Sequence, residues 1–213
     1  MALNLYIYSG LGNIIAIVDS VREDISLDAE DVLNLHNNKS ISFDQLIQVL
    51  PPQDPENDFD VEIYNNDGST ASNCINGARC VAKFIEDHSL SVSKQLKVNT
   101  IGGIWKLESM SEENYSATFL LSDVIKPISI SLEEINLNLD CVSLGNPHGI
   151  AFQDTNPEFD LLKIGKDLQK NSAFPDGVNL GLAHRVSSNE IDLRVYERGA
   201  GETLACGSGA CAA

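Results

Sequence analysis

Basic residues are scarce in this chain. Fourteen Lys and Arg stand against 31 Asp and Glu, a formal charge of −17, which repels phosphate backbones and anionic membrane surfaces and argues against a nucleic-acid partner. Also missing is any apolar run of membrane-spanning length, and strand-like residues begin at Leu3 with no basic, apolar leader pattern before them. The expectation is a soluble, cytoplasmic protein with no membrane partner. No low-complexity or linker segment breaks the chain. Cysteines number five, an odd count without secretory features, so no disulfide framework is expected. The closest pairs, Cys74/Cys80 and Cys206/Cys211, lack the short gap of zinc knuckles, so no metal is expected.

What the sequence does have is one cysteine turn, twice. Near the end, a strand-like Ile191-Asp-Leu-Arg-Val-Tyr196 leads through a polar turn to Cys206, which opens a helix of small residues. Earlier, Val61-Glu-Ile-Tyr-Asn65 leads through Asn66-Asp-Gly-Ser69 to Cys74, and Cys-x-[Asn/Ser]-Gly-Ala follows both times. Asn65 precedes Cys74 by nine residues, as Glu197 precedes Cys206; Asn13 of Leu-Gly-Asn lies 61 before Cys74, and Asn146 of a second Leu-Gly-Asn lies 60 before Cys206. Such a duplication divides the chain into two halves, 1–118 carrying Cys74 and 119–213 carrying Cys206. A cysteine at a helix N-terminus faces free N–H groups and the positive end of the dipole, both of which favour thiolate over thiol, and which of the two sulfurs is the resting thiolate stays open. Gly207 and Gly209 leave the second helix mouth open to a carboxylate.

Taken in order, residues 3–8 and 14–18 read as strands around a Gly-x-Gly turn, which lacks the third glycine and the helix of a dinucleotide loop. Residues 27–36 have helical spacing with acids in the first turn, 43–49 and 59–64 read as strands, and Cys74 opens a helix to about His88 with Ala78, Val81, Ala82 and Ile85 on its apolar side. From Gln95 the pattern is β-rich, with strands at 104–107 and 115–121 and a turn signal at Gly102-Gly103. Asn146-Pro-His148 reads as a turn and 159–169 as an amphipathic helix. The final helix, Cys206 to Ala213, is about 12 Å long and marginal without packing, so the second half is expected to be truncated and the natural domain to run past Ala213.

Cys80, Cys141 and Cys211 read as small buried hydrophobes, and His36, His88 and His184 as solvated surface residues. His148 is divided between a structural turn bond and a site role. The Asn turns could be left-handed caps. Arg198 has no evident local partner besides Glu197 and Glu202. Two thiols in matching turns suggest a pair in which one sulfur takes a proton from a carbon while the other delivers one to its opposite face, with helix N-termini holding the neighbouring carboxylate.

These motifs resemble diaminopimelate epimerases: Gly10-Leu-Gly-Asn13, Phe43-Asp-Gln45, Asn65-x-Asp-Gly-Ser69, Cys74-x-Asn-Gly-Ala-Arg-Cys80, Gly145-Asn-Pro-His148, Val178-Asn179 and Tyr196-Glu-Arg-Gly-Ala-Gly-Glu-Thr203 through to Cys211. The resemblance runs through essentially the whole chain. It implies an α+β fold of two pseudo-symmetric halves, each a curled, mostly antiparallel sheet around a central helix, no cofactor, and commonly a homodimer. It makes Cys74 and Cys206 the catalytic pair and gives the reacting carboxylate to the backbone N–H groups of Ile75, Asn76, Gly207 and Ser208. Asn13, Asn65, Asn146, Asn179 and Arg198 match substrate contacts, Gln45 lines the site, and Glu197 and His148 lie near the reacting centre. The family usually has Gly where this chain has Ile75 and Ser42, and Met-His in place of Tyr8-Ser9. The implied substrate is a small diamino dicarboxylate, LL-2,6-diaminoheptanedioate, epimerised to the meso form in lysine and peptidoglycan precursor synthesis. Alternatives are a proline racemase or hydroxyproline epimerase on the same two-thiol plan, an inactive remnant, or a thiol–disulfide binding module.

Overall fold

The computed structural model describes residues 3–38, 42–111, 114–119, 123–132, 135–154 and 160–213. They divide into two compact units, residues 1–120 and 121–213.

The first unit is a seven-stranded sheet whose spatial order follows the sequence: β1 (Tyr6–Gly10), β2 (Asn13–Asp19), β3 (Gln45–Leu50), β4 (Phe59–Asn65), β5 (Gln95–Thr100), β6 (Gly103–Ser111) and β7 (Asn114–Phe119). β2 and β3 are parallel, as are β4 and β5; the other neighbours are antiparallel. Parallel neighbours need a crossover, and two helices supply them. α1 (Ala29–Asn37) joins β2 to β3, and α2 (Ile75–Asp87) joins β4 to β5. α1 starts where Asp28 accepts the Asp31 N–H at 2.9 Å while Asp31 accepts the Asp28 N–H at 3.1 Å, a reciprocal cap made by two aspartates.

In β2, β3 and β4 the alternation sends odd-numbered residues to α2 and even-numbered ones to α1. Ile15, Ile17, Ile47, Val49, Val61 and Ile63 pack with Ala78, Val81, Phe84 and Ile85 in one core; Ala16, Val18, Leu46 and Tyr64 pack with Val32 in another. α2 touches β1, β2 and β3 and also β6 and β7, so both ends of the sheet bend around it. Each fully buried Val, Ile or Phe on this helix contributes roughly 1.5–3 kcal/mol, and that burial sets the curl.

The second unit repeats the scheme with six strands in the order β13-β12-β11-β10-β9-β8: β8 (Asp123–Ser131), β9 (Asn136–Ser143), β10 (Pro147–Gln153), β11 (Asn179–Ser187), β12 (Glu190–Glu197) and β13 (Gly201–Thr203). Among the described residues of this unit only β10 and β11 are parallel, and α3 (Leu161–Leu168) crosses between them as α1 does between β2 and β3. α3 buries Leu161, Ile164 and Leu168 on one face of the sheet, and α4 (Gly207–Ala212) lies on the other against β10 and β11.

The duplication is visible in the register. Ile15, two residues after Asn13, pairs with Gln45; His148, two residues after Asn146, pairs with Asn179. The curled, mostly antiparallel α+β architecture expected from the family resemblance is therefore present. Several local expectations need correction. His148 lies inside β10 rather than in a turn, because Leu144 to Asn146 already reverse the chain. In the two Leu-Gly-Asn turns left-handed backbone falls on Gly12 (φ 84°) and Gly145 (φ 86°), and in the first also on Leu11 (φ 53°), not on the asparagines. The polar turn after Glu197 contains a short strand, β13. The strand expected at 115–121 runs Asn114–Phe119, and Leu120 and Leu121 lie outside the described residues, as does Phe159 at the expected start of the helix over 159–169. Among the described residues no helix is long and apolar enough to cross a membrane.

Candidate active site

Each catalytic candidate is the N-cap of its helix. Cys74 precedes α2 in extended backbone, and its Sγ accepts the Gly77 N–H at 3.2 Å; Cys206 precedes α4 likewise, and its Sγ accepts the Gly209 N–H at 3.3 Å. Both sulfurs thus fill the place that a Ser or Asp oxygen takes in an ordinary cap. Both residues are buried, at 8% and 9% exposure. A Cβ on Gly77 would meet Ile47 Cδ1 at 2.4 Å and the Cys74 sulfur at 2.9 Å, so only glycine lets the turn close against β3.

At Cys206 the surroundings oppose the thiolate that a helix mouth favours. Burial pushes the thiol up to about 11, and the Glu197 carboxylate beside it pushes the same way. The Ser208 hydroxyl at 3.4 Å and the Gly209 N–H pull down without reversing this. Loss of water outweighs the single turn and a half of α4, so Cys206 rests as a thiol. Cys80 and Cys141 are buried as expected, but Cys211 is exposed on α4.

Around Cys74, the α2 face of the sheet carries polar side chains where β2, β3 and β4 begin or end. Gln45 Nε2 donates to Asn65 Oδ1 at 3.0 Å, and Asn65 Nδ2 donates to Ser69 Oγ at 3.0 Å, whose hydroxyl in turn donates to Asp67 at 2.6 Å. Asn13 starts β2 with its buried Oδ1 unpartnered. Asn76, in the first turn of α2 beside the half-buried Ile75, accepts from Arg79 at 3.0 Å.

Around Cys206 the equivalent positions carry more strongly polar groups. His148 and Asn179 are cross-strand partners, and Glu197 ends β12 on the same face. Asn179 Oδ1 accepts the Arg198 N–H at 2.8 Å, which leaves its Nδ2 facing His148 Nε2 at 3.4 Å; Asn146 Oδ1 lies 3.2 Å from the same nitrogen. Only 1% of His148 is exposed, its Nδ1 is unpartnered, and burial lowers its pKa to about 4, so the ring is neutral. Arg198 turns to neither Glu197 nor Glu202: its Nη1 donates to the Asp176 carbonyl at 2.7 Å, while Glu202 pairs with Arg194 at 2.8 Å. Gly207 and Ser208 are half-buried at the start of α4.

Sequence reasoning missed Gln169. Its amide clamps Val178 from both sides, accepting the Val178 N–H at 3.1 Å and donating to the Val178 carbonyl at 2.9 Å, and so fixes the residue before Asn179. No local pattern announces such a clamp. The remaining histidines are half-buried and partnered rather than simply solvated: His36 meets Phe43 edge-on, His88 meets Tyr6 edge-on and Phe84 at a tilt, and His184 Nδ1 meets the Gln153 carbonyl at 3.2 Å.

The profile described as diaminopimelate epimerase matches residues 5–124 and 141–213. A diaminopimelate epimerase of Chromobacterium violaceum is 38% identical over 96% of this chain and 79% of its own length, and one of Coxiella burnetii is 34% identical over 100% and 82%. Among solved structures, a hydroxyproline epimerase of Agrobacterium vitis superposes with TM-score 0.74 at 14% identity, covering 98% of this chain and 74% of that one. A phenazine biosynthesis protein of the PhzF family from Bacillus anthracis superposes with TM-score 0.64 at 16% identity, covering 96% and 76%. These last two share the fold, while sequence identity and the matched profile point one way only: the chain belongs to the diaminopimelate epimerase family.

Proposed function

We propose that this chain is an isomerase that interconverts LL- and meso-2,6-diaminoheptanedioate, with Cys74 and Cys206 as its two acid–base groups and no cofactor. The observation that carries the reading is the duplicated capping cysteine, placed in each unit as a helix N-cap nine residues after a strand-ending Asn65 or Glu197, in a chain from this family. Removal of an α-proton leaves a carbanion that needs preorganised positive potential. The backbone N–H groups of Ile75, Asn76, Gly207 and Ser208, at the starts of the two helices, supply it to the neighbouring carboxylate. Cys206, resting as a thiol, delivers the proton in the direction in which Cys74 removes one, and the roles exchange on reversal. Glu197 and the neutral His148 sit beside the reacting end. Asn13, Gln45, Asn65, Asn146, Asn179 and Arg198 hold the remaining polar groups, including the distal amino-acid end that a proline-type substrate lacks. The reaction belongs to lysine and peptidoglycan precursor synthesis in the cytoplasm.

The test is deuterium uptake at the substrate α-carbon in D2O, with parent, Cys74→Ser and Cys206→Ser. The parent takes up deuterium while LL converts to meso, and either variant loses epimerisation by a factor on the order of 10³ or more, since a positioned acid or base contributes about 10²–10⁴. Full turnover in either single variant rules out the two-sulfur assignment. Preference for proline over diaminopimelate in a substrate panel moves the reading to the racemase alternative.

A further inference from the structure

Thr203 ends β13, a strand of three residues that pairs antiparallel with β12 through Val195↔Thr203, Tyr196↔Glu202 and Glu197↔Gly201. Cross-strand partners share a face, so Thr203 lies with Val195 and Glu197 on the side covered by α4, and Glu202 lies on the other. The two carboxylates that flank this turn are treated differently. Glu202 is taken by Arg194 in a two-pronged contact, Nε at 2.9 Å and Nη2 at 2.8 Å. Glu197 meets no cation among the described residues; its Oε1 accepts the Thr203 hydroxyl at 2.6 Å, on the diagonal between the strands. The same carboxylate lies near enough to Cys206, three residues beyond Thr203 in the chain, to push its thiol up. A carboxylate beside a thiol that gives and takes protons has to stay in one rotamer without being neutralised. A hydroxyl donor does this where an arginine would cancel the charge. β13 itself is anchored by the Arg194–Glu202 pair and its ladder bonds to β12, so the hydroxyl is not needed to hold the strand.

We infer that Thr203 is a positioning residue for the epimerase reaction, its hydroxyl fixing the Glu197 carboxylate against the Cys206 sulfur. The inference rests on the functional reading above, and its test separates the two. Thr203→Val keeps the β-branched shape and removes the donor; Thr203→Ser restores the donor. In a Cys74→Ser, Cys211→Ser background, the pH dependence of Cys206 alkylation by iodoacetamide reports on Glu197 without any turnover. Thr203→Val releases the carboxylate and moves that profile to lower pH, and Thr203→Ser leaves it at the parent position. In the otherwise unmodified enzyme, Thr203→Val lowers kcat about 10-fold with KM nearly unchanged, Thr203→Ser recovers most of it, and in a Glu197→Ala background Thr203→Val has no further effect.

A parent-like alkylation profile in Thr203→Val overturns the inference. So does an equal kcat loss with and without Glu197, which is what a strand held together by Thr203 would give. If the parent itself turns over no diaminopimelate, the functional reading falls, and the alkylation comparison alone decides the place of Thr203.

Discussion

A neutral histidine with one nitrogen left over is an expensive group to bury, and His148 is held so among Asn146, Asn179 and β10. Its proton equilibrium makes that cost measurable. The folded pKa lies near 4, below the ordinary value of 6.5. Between these values the unfolded chain binds a proton that the fold refuses, so stability from this group is complete above pH 6.5 and is lost as pH falls through 4. The parent should lose on the order of 2 kcal/mol more than His148→Gln between pH 7.5 and 4.5 in urea unfolding. Parallel pH slopes for the two proteins contradict a neutral, buried ring. The Cys206 thiol has the opposite sense, with its proton retained in the fold until pH approaches 11. The sequence places Cys206 at a helix mouth, which favours thiolate; it does not reveal how little water reaches the sulfur, and that is the larger effect.

Elements were legible where punctuation and periodicity agreed. β1, β2, α1, β3, β4 and α2 follow from Gly, Pro and Asp boundaries and from apolar spacing, within a residue or three of their ends. β8 and β13 were not legible, for physical reasons. β8 holds Pro127 at a register irregularity between Ile125 and Ile128, tolerable only because it is an edge strand, and the break destroys the alternation. β13 has three residues, too few to carry a pattern of their own, and is defined by its ladder to β12. The packing of α3 was also hidden. A Cβ on Gly165 would sit 2.2 Å from Cγ of Tyr196, at the root of a ring that cannot swing away. Helix propensity alone makes Gly165→Ala stabilising by about 1 kcal/mol, whereas overpacking costs roughly 1–3 kcal/mol and is severe at this separation. We expect overpacking to win by about 2 kcal/mol, with Tm lower by roughly 4–8 °C. A variant that melts at or above the parent shows that α3 can slide off β12.

Across the whole molecule, one chassis is used twice and furnished differently. Asn13 matches Asn146, Gln45 matches Asn179, Asn65 matches Glu197 and Cys74 matches Cys206, but the position of buried Ile15 in the first unit is taken by His148 in the second. At the matched positions the Cys74 unit carries the amides Asn13, Gln45 and Asn65, and the Cys206 unit carries Asn146, Asn179 and the carboxylate of Glu197, with the His148 imidazole in the place of Ile15. On the proposed reading, inverting one carbon requires two groups on opposite faces, for which a duplicated frame provides two equivalent mounts, and the unequal furnishing lets one sulfur rest as thiol. If both sulfurs reach the same carbon, they are also close enough to join once a two-electron oxidant such as diamide removes two electrons and two protons. Mild diamide treatment should abolish turnover, yield a single linked peptide pair containing Cys74 and Cys206 by mass spectrometry, and be reversed by dithiothreitol. Cys80 and Cys141 are buried in the cores of separate units and should stay reduced. Inactivation without the Cys74–Cys206 link means that the sulfurs do not share a substrate, and the duplicated frame would then need another explanation.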